Sequence, residues 1–199
     1  MEGCDPEEDV ILMCEVLEEA TYVKHHKKKI AFLFSAMRHF GEELREKGHH
    51  VQYVKLEDDA NTGTIAGEVA RAIGQHDIDR VIVTHPGEYR LANEVDKWPS
   101  RFNLPVEIRD DNRFLVTPED FAEWSQDRRS LRMEIFYRNI RRKYNLLMAG
   151  NEPLGGQWNF DADNRKPPKK GMDIPAPFSV PIDNITREVL ELVGQRFSD

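Results

Sequence analysis

The sequence offers no apolar run near the roughly 20 residues that a membrane-spanning helix needs. Its first ten residues, MEGCDPEEDV, are acidic and lack the basic start of a secretion signal. Both observations predict a cytoplasmic protein with no membrane partner. Cysteine is scarce, with Cys4 and Cys14 the sole pair among 199 residues. Their separation matches no metal-ligand spacing and no disulfide framework, so they read as reduced thiols and no metal site is expected. Positive charge is in deficit, with 28 Lys and Arg against 36 Asp and Glu, a net charge of -8. A dedicated nucleic-acid module is usually basic, so the chain alone is a poor DNA binder. No G-x-G-x-x-G follows any strand-like run, and no G-K-S or G-K-T occurs. Those absences exclude the usual dinucleotide and triphosphate loops. No close set of acid, base and nucleophile stands out, so no residue is assigned as catalytic.

What the chain does have is apolar residues in periodic blocks, 39% of the total against 32% charged. It is organised around residues 10–44. Val10, Ile11, Leu12 and Met13, with Cys14 and Val16 behind them, read as a strand covered on both faces. Ile30, Leu33, Phe34, Met37 and Leu44 recur at helical spacing, with Phe40 in the same stripe. The helix is expected to begin near residues 26–29 and to stop at Lys47-Gly48. Ligands of open α/β sheets bind just past the carboxyl ends of strands. The polar loop expected at residues 15–29 is therefore the first candidate site.

Further strands are expected at HHVQYVKL, RVIVTHP and VEIRD, the last with Val106 and Ile108 inward. A helix capped by Thr64 is expected over residues 65–73, ended by Gly74, and another from Pro86-Gly87-Glu88 to about Trp98. Thr117-Pro118-Glu119-Asp120 is a strong helix start: a capping threonine, proline at the first position, then acids at the positive dipole end. A long basic helix follows over residues 130–144. Residues 146–183 are rich in Gly, Pro and Asn, with a Pro/Lys cluster at 166–170, and read as an extended connector. Residues 184–199 form a last amphipathic helix. Strand and helix alternate four times, which predicts a parallel sheet with helices on both faces. The resulting division is an acidic leader at 1–9, an α/β domain at 10–145, the connector, and the final helix.

Among polar candidates, His25-His26 and His49-His50 are adjacent pairs whose side chains diverge, so they read as structural or surface groups. His85, at a strand end, is the best-placed histidine for a ligand. The run from Lys24 to Lys29 places cations at a helix start, against the dipole. The arginines of the late helix read as a salt-bridged face rather than a phosphate track. Glu19 with Tyr22 could hold a heterocycle, the carboxylate accepting from a ring N–H and the phenol stacking or meeting a carbonyl. The bland alternative is a solvated acid and a half-buried tyrosine.

The blocks CEVLEEATYVKHHKKKIAFLFSAMRHFGEEL, THPGEYR, VEIRDDNRFLVT, SLRMEIFYRNIRRKYNLLM and GGQWNFDADNRK carry a resemblance in order along nearly the whole chain. They resemble the N-terminal part of the deoxyribodipyrimidine photolyase-related proteins, the bacterial iron–sulfur cryptochromes and (6-4) photolyases. The resemblance implies a Rossmann-like antenna domain that binds 6,7-dimethyl-8-ribityllumazine. It implies a larger helical domain, with FAD and a 4Fe-4S cluster, that binds damaged DNA. By motif position it places the pigment near Cys14, Glu15, Glu19, Tyr22 and Leu33, with Leu33 as apolar wall and Glu19 and Tyr22 as polar contacts.

The sequence departs from that pattern twice. The family opens with a strand and a G-D-Q-L loop, whereas here MEGCDPEE precedes Val10. The expected sheet therefore lacks its first, central strand, and the slot is expected to be closed by the leader, by unusual packing or by a second copy in a homodimer. The chain also ends where the helical domain would begin, so residues 184–199 read as a helix leading to an absent FAD domain. Two cysteines cannot hold a four-thiolate cluster. The chain alone is expected to harvest light for a photorepair or blue-light receptor protein, not to catalyse. The rivals are an interaction domain that has lost pigment binding and a small nucleotide hydrolase.

Overall fold

The computed structural model describes residues 3–165 and 167–197. The first two residues of the leader, one residue of the Pro/Lys cluster and the last two residues of the chain lie outside the described residues. In chain order the elements are β1 (Val10–Cys14), α1 (Leu17–Thr21), α2 (Lys27–Glu46), β2 (His50–Val54), α3 (Ile65–Gln75), β3 (Val81–Thr84), α4 (Tyr89–Val95), α5 (Trp98–Phe102), β4 (Val106–Arg109), α6 (Pro118–Ser125), α7 (Met133–Lys143), β5 (Met148–Ala149), β6 (Glu152–Pro153), α8 (Asp161–Asn164) and α9 (Asn184–Arg196). They fall into two compact units. One holds the chain up to Arg80, Trp98–Pro105 and the chain from Phe178 onward; the other holds Val81–Lys97 and Val106–Pro177.

In the first unit β1 and β2 pair in parallel, from Val10 opposite His50 to Cys14 opposite Val54. β1 is half-buried along its length, not covered on both faces as its apolar run suggested. Among the described residues β2 is its one strand neighbour. α2 starts one residue after His26, whose Nδ1 accepts from the Lys28 N–H at 3.1 Å. Its buried face is Ile30, Ala31, Phe34, Arg38, Gly41 and Leu44. Leu33 and Phe40, expected on that stripe, are each 45% exposed. The stripe runs through Phe34 and Gly41 because the helix touches the sheet there. A Cβ on Gly41 would sit 2.9 Å from the Tyr53 ring, so this close approach requires glycine. α3 begins at the Thr64 cap, whose hydroxyl accepts from the Gly67 N–H at 3.0 Å. It runs through Gly74 rather than stopping there, since glycine in a helix costs only about 1 kcal/mol.

α9 packs back onto α2. Val189, Leu192 and Val193 join Ile30, Ala31, Phe34, Leu56, Ala20 and Phe197 in one buried cluster. Asp183 caps α9 by accepting from the Thr186 N–H at 2.7 Å. The same carboxylate meets His39 Nε2 on α2 at 2.5 Å, while His39 Nδ1 lies 2.7 Å from the Ser35 carbonyl. With an acceptor at both ring nitrogens, the doubly protonated imidazolium is favoured. Asp183, and next the Ser35 carbonyl, hold the His39 pKa above its ordinary value. The Thr186 N–H, and next His39, hold Asp183 down at about 2. A raised histidine pKa adds stability that is complete below about pH 6.5 and lost as pH rises through the folded-state value. A lowered aspartate pKa adds stability that is complete above about pH 4 and lost on further acidification. The latch is thus strongest between those limits. His39→Gln should flatten the fall in Tm between pH 6 and 8, as scanning calorimetry would show.

In the second unit β3 and β4 pair in parallel, from Val81 opposite Val106 to Thr84 opposite Arg109. Ile108, expected inward, is 41% exposed, because a two-stranded sheet buries little of either face. The helix expected to reach Trp98 ends at Val95, and a separate turn of helix starts at Trp98. α6 has the full capping box: the Thr117 hydroxyl accepts from the Asp120 N–H, and the Asp120 carboxylate accepts from the Thr117 N–H. Phe121, Trp124 and Phe136 join α6 to α7, with centroids 4.8 to 5.7 Å apart. The basic face of α7 is largely paired. Arg138 bonds Glu134, Lys143 bonds Asp120 at 2.8 Å, and Arg141 donates to the Leu146 and Leu147 carbonyls. The connector is more structured than its composition suggested, with an antiparallel β5–β6 hairpin and the single turn α8. No helix among the described residues is long and apolar enough to cross a membrane.

Candidate functional site

The carboxyl ends of β1 and β2 lead into residues 15–26 and 55–64. The first of these is not all loop, as expected, since it contains α1. A five-residue helix is too short to be stable alone, and Val16 at its N-cap supplies no side-chain bond. Instead the Glu18 N–H donates across to the Gly63 carbonyl at 3.0 Å. Thr62 and Gly63 lie between Asn61 and α3. Glu68 on α3 is fully buried, with its carboxylate accepting from the Thr62 N–H, the Thr62 hydroxyl and Arg71.

Glu15 is 0% exposed. Arg38 Nε and Nη2 donate to its two oxygens at 2.6 and 2.8 Å. The Tyr53 hydroxyl donates to Oε1 at 2.9 Å and the Leu56 N–H to Oε2 at 3.0 Å. Burial, and after it the Glu15 charge, push the Tyr53 phenol well above its ordinary pKa. Burial opposes the charge on Arg38, and its bonds to Glu15 more than offset this, so the guanidinium stays charged. Glu15 therefore ties β1, β2 and α2 together from inside.

The other candidates stand differently. Cys14 alternates with Glu15 and so faces away from it. Burial, then the charge of Glu68, push its thiol up to about 12. Glu19 is half-buried on α1. Tyr22 is 45% exposed, its ring edge-on to His25 at 5.3 Å. Leu33 is exposed on α2. Ala20 of α1 and Ile30, Ala31 and Phe34 of α2 share one core cluster, so Glu19, Tyr22 and Leu33 ride on two helices fixed to each other. The structure thus places Glu15 in the interior, half-buries Glu19 and leaves Tyr22 and Leu33 exposed. His85 ends β3, where its N–H donates to the Arg109 carbonyl at 2.7 Å. Among the described residues no cluster of His, Cys, Asp and Glu is arranged to hold a metal ion.

Arg38, Tyr53 and Asn61 escaped the reading of the sequence. Arg38 had a signal: it sits four residues after Phe34 on an otherwise apolar stripe, where a charge needs a buried partner. Asn61 had none, because its role depends on two loops meeting.

The thiols make a direct check. Cys14 is half-buried and its thiol, raised to about 12, is protonated at neutral pH, whereas Cys4 is in the leader beside His49, its sulfur 3.8 Å from Nδ1. Thiol labelling of the native protein at pH 7.5 should modify Cys4 first and Cys14 at an appreciable rate only in denaturant.

The sequence profile of the deoxyribodipyrimidine photolyase-related protein family matches residues 1–199. The chain belongs to this family. A (6-4) photolyase of Agrobacterium fabrum is 49% identical over 200 residues, which take in 100% of this chain and 39% of that protein. The chain therefore spans well under half the length of that curated relative. An uncharacterised protein of Acanthamoeba polyphaga mimivirus is 21% identical over 162 residues, 76% of this chain and 80% of its own. The blocks that suggested the photolyase-related family from sequence are thus matched across the whole chain.

Proposed function

We propose that this photolyase-related chain is the N-terminal, light-harvesting α/β part of a DNA photorepair or blue-light receptor protein, and that it binds 6,7-dimethyl-8-ribityllumazine at the carboxyl end of β1. The observation that carries this reading is that a family member sets a half-buried Glu19 beside exposed Tyr22 and Leu33 on two helices that share one core cluster at that strand end. The donor set suits the pigment. Glu19 would accept from a ring N–H, Tyr22 would stack on or donate to the heterocycle, and Leu33 would form an apolar wall. Cys14, a neutral thiol, would line the pocket without adding charge. Glu15 would act from behind, by fixing the strand end. The pigment, when bound, absorbs light and passes excitation on; the residues here bind and orient it.

Catalysis is assigned to a part of a longer protein that carries FAD and a 4Fe-4S cluster and contacts damaged DNA. The edge of β1 away from β2 is where a further parallel strand would complete a Rossmann-like sheet. A cytoplasmic setting follows from this assignment.

Lumazine titration followed by absorption and fluorescence tests the reading. Binding is expected, with affinity lowered about 5- to 30-fold by Glu19→Ala or Tyr22→Phe, the loss of one hydrogen bond from a partly buried contact. Absence of binding to folded protein at saturating pigment would instead favour an interaction domain without pigment.

A further inference from the structure

We propose that Asn61 is the positioning residue of this strand-end site, setting where α1 lies and hence where Glu19 and Tyr22 point. The functional half of this inference rests on the lumazine reading above; the structural half does not. The Asn61 carboxamide uses three of its four bonding positions between two loops, both donors among them. Nδ2 donates to the Glu15 carbonyl at 2.7 Å, the last residue before α1 begins its approach, and to the Lys55 carbonyl at 2.9 Å, just past β2. Oδ1 accepts from the Gly63 N–H at 2.8 Å. Gly63 has φ +79°, a left-handed conformation that glycine adopts at no steric cost, and this turns its carbonyl toward the Glu18 N–H.

The chain of bonds runs from Asn61 to Gly63 to Glu18. The first turn of α1 is thus capped from the loop after β2, not from its own sequence. No other side chain serves as well. Aspartate would set a carboxylate against two carbonyl oxygens, and alanine would leave both carbonyls and the Gly63 N–H without this partner. Because α1 is too short to hold itself, loss of the clamp should free α1 while β1, β2 and α2 keep the Glu15–Arg38 tie.

The test compares Asn61→Ala and Asn61→Asp with the wild type by hydrogen exchange and by lumazine titration. Exchange at the amides of residues 18–22 is expected to rise about tenfold or more, the effect of leaving a partly buried hydrogen-bonding group unpaired. Exchange in the middle of α2 should stay at its wild-type rate, and pigment affinity should fall in step with α1 exchange, further for Asp than for Ala. Unchanged exchange at 18–22, or an equal rise in α1 and α2, overturns the clamp. Unchanged pigment affinity with α1 loosened overturns its role at the site. If the wild type itself binds no lumazine, the pigment reading falls, and the exchange result alone decides whether Asn61 positions α1.

Discussion

Replacing Arg38 with alanine is expected to destabilise the first unit by about 3–5 kcal/mol, the cost of leaving a buried charge without its partner. Glu15 is wholly inside, and four donors from three directions converge on it: Arg38 on α2, Tyr53 on β2 and the Leu56 backbone. With the guanidinium gone, the carboxylate keeps the phenol and one N–H but loses its counter-charge where water cannot reach it. The arginine on α2 also lies 3.6 Å from Glu188 of α9, so the loss extends to the helix that covers α2. Tyr53→Phe removes one neutral donor and should cost about 1–2 kcal/mol. The network is not required for net stability, only for its own completeness. A triple replacement of Arg38, Glu15 and Tyr53 by Met, Leu and Phe should recover much of the single-site loss. Exchange of the β1 and β2 amides in increasing urea would report each value. A loss below about 1 kcal/mol for Arg38→Ala would mean that the pair is solvated, as surface ion pairs are.

Truncating Leu192 to alanine is expected to cost about 2–5 kcal/mol, the range for a large aliphatic residue removed from a packed core. Leu190, two residues earlier on α9, is 45% exposed against 8% for Leu192. Leu190→Ala should change stability by no more than about 0.5 kcal/mol. The contrast tests whether α9 is an integral part of the first unit's core. If α9 merely led away from the domain, both substitutions would be near neutral in urea unfolding. Because Val189, Leu192 and Val193 cover Phe34 and Ile30, loss of this packing should also raise exchange in the first half of α2. The His39–Asp183 latch lies at the start of the same contact, so its pH dependence should shrink in Leu192→Ala.

Legibility in the sequence varied with the range of the interaction concerned. The parallel strands at Val10–Cys14, His50–Val54, Val81–Thr84 and Val106–Arg109 followed from apolar runs bounded by turn residues. The Thr117 and Thr64 caps were readable because each hydroxyl bonds an N–H only three residues further on. Where the expectation slipped, the cause was tertiary. Leu33 and Phe40 fit a helical stripe by spacing alone, but Gly41 against Tyr53 decided which side of α2 meets the sheet. The partial exposure of β1 could not be read from its composition, because burial depends on how many strands stand beside it.

The sequence by itself determined the α/β character, the order of the four parallel strands and the longer helices, and the photolyase-related family, since each rests on local periodicity or on long matching blocks. Only the tertiary structure decided that Glu15 is an interior tie, that residues 184–196 fold back as core, and that Asn61 holds two strand-end loops together. These depend on groups 23 to 46 residues apart in the case of Glu15 with Arg38 and with Asn61, and on helices at opposite ends of the chain in the case of α2 and α9. A side chain's neighbours along the chain say what it is able to bond; its neighbours in space decide what it does bond.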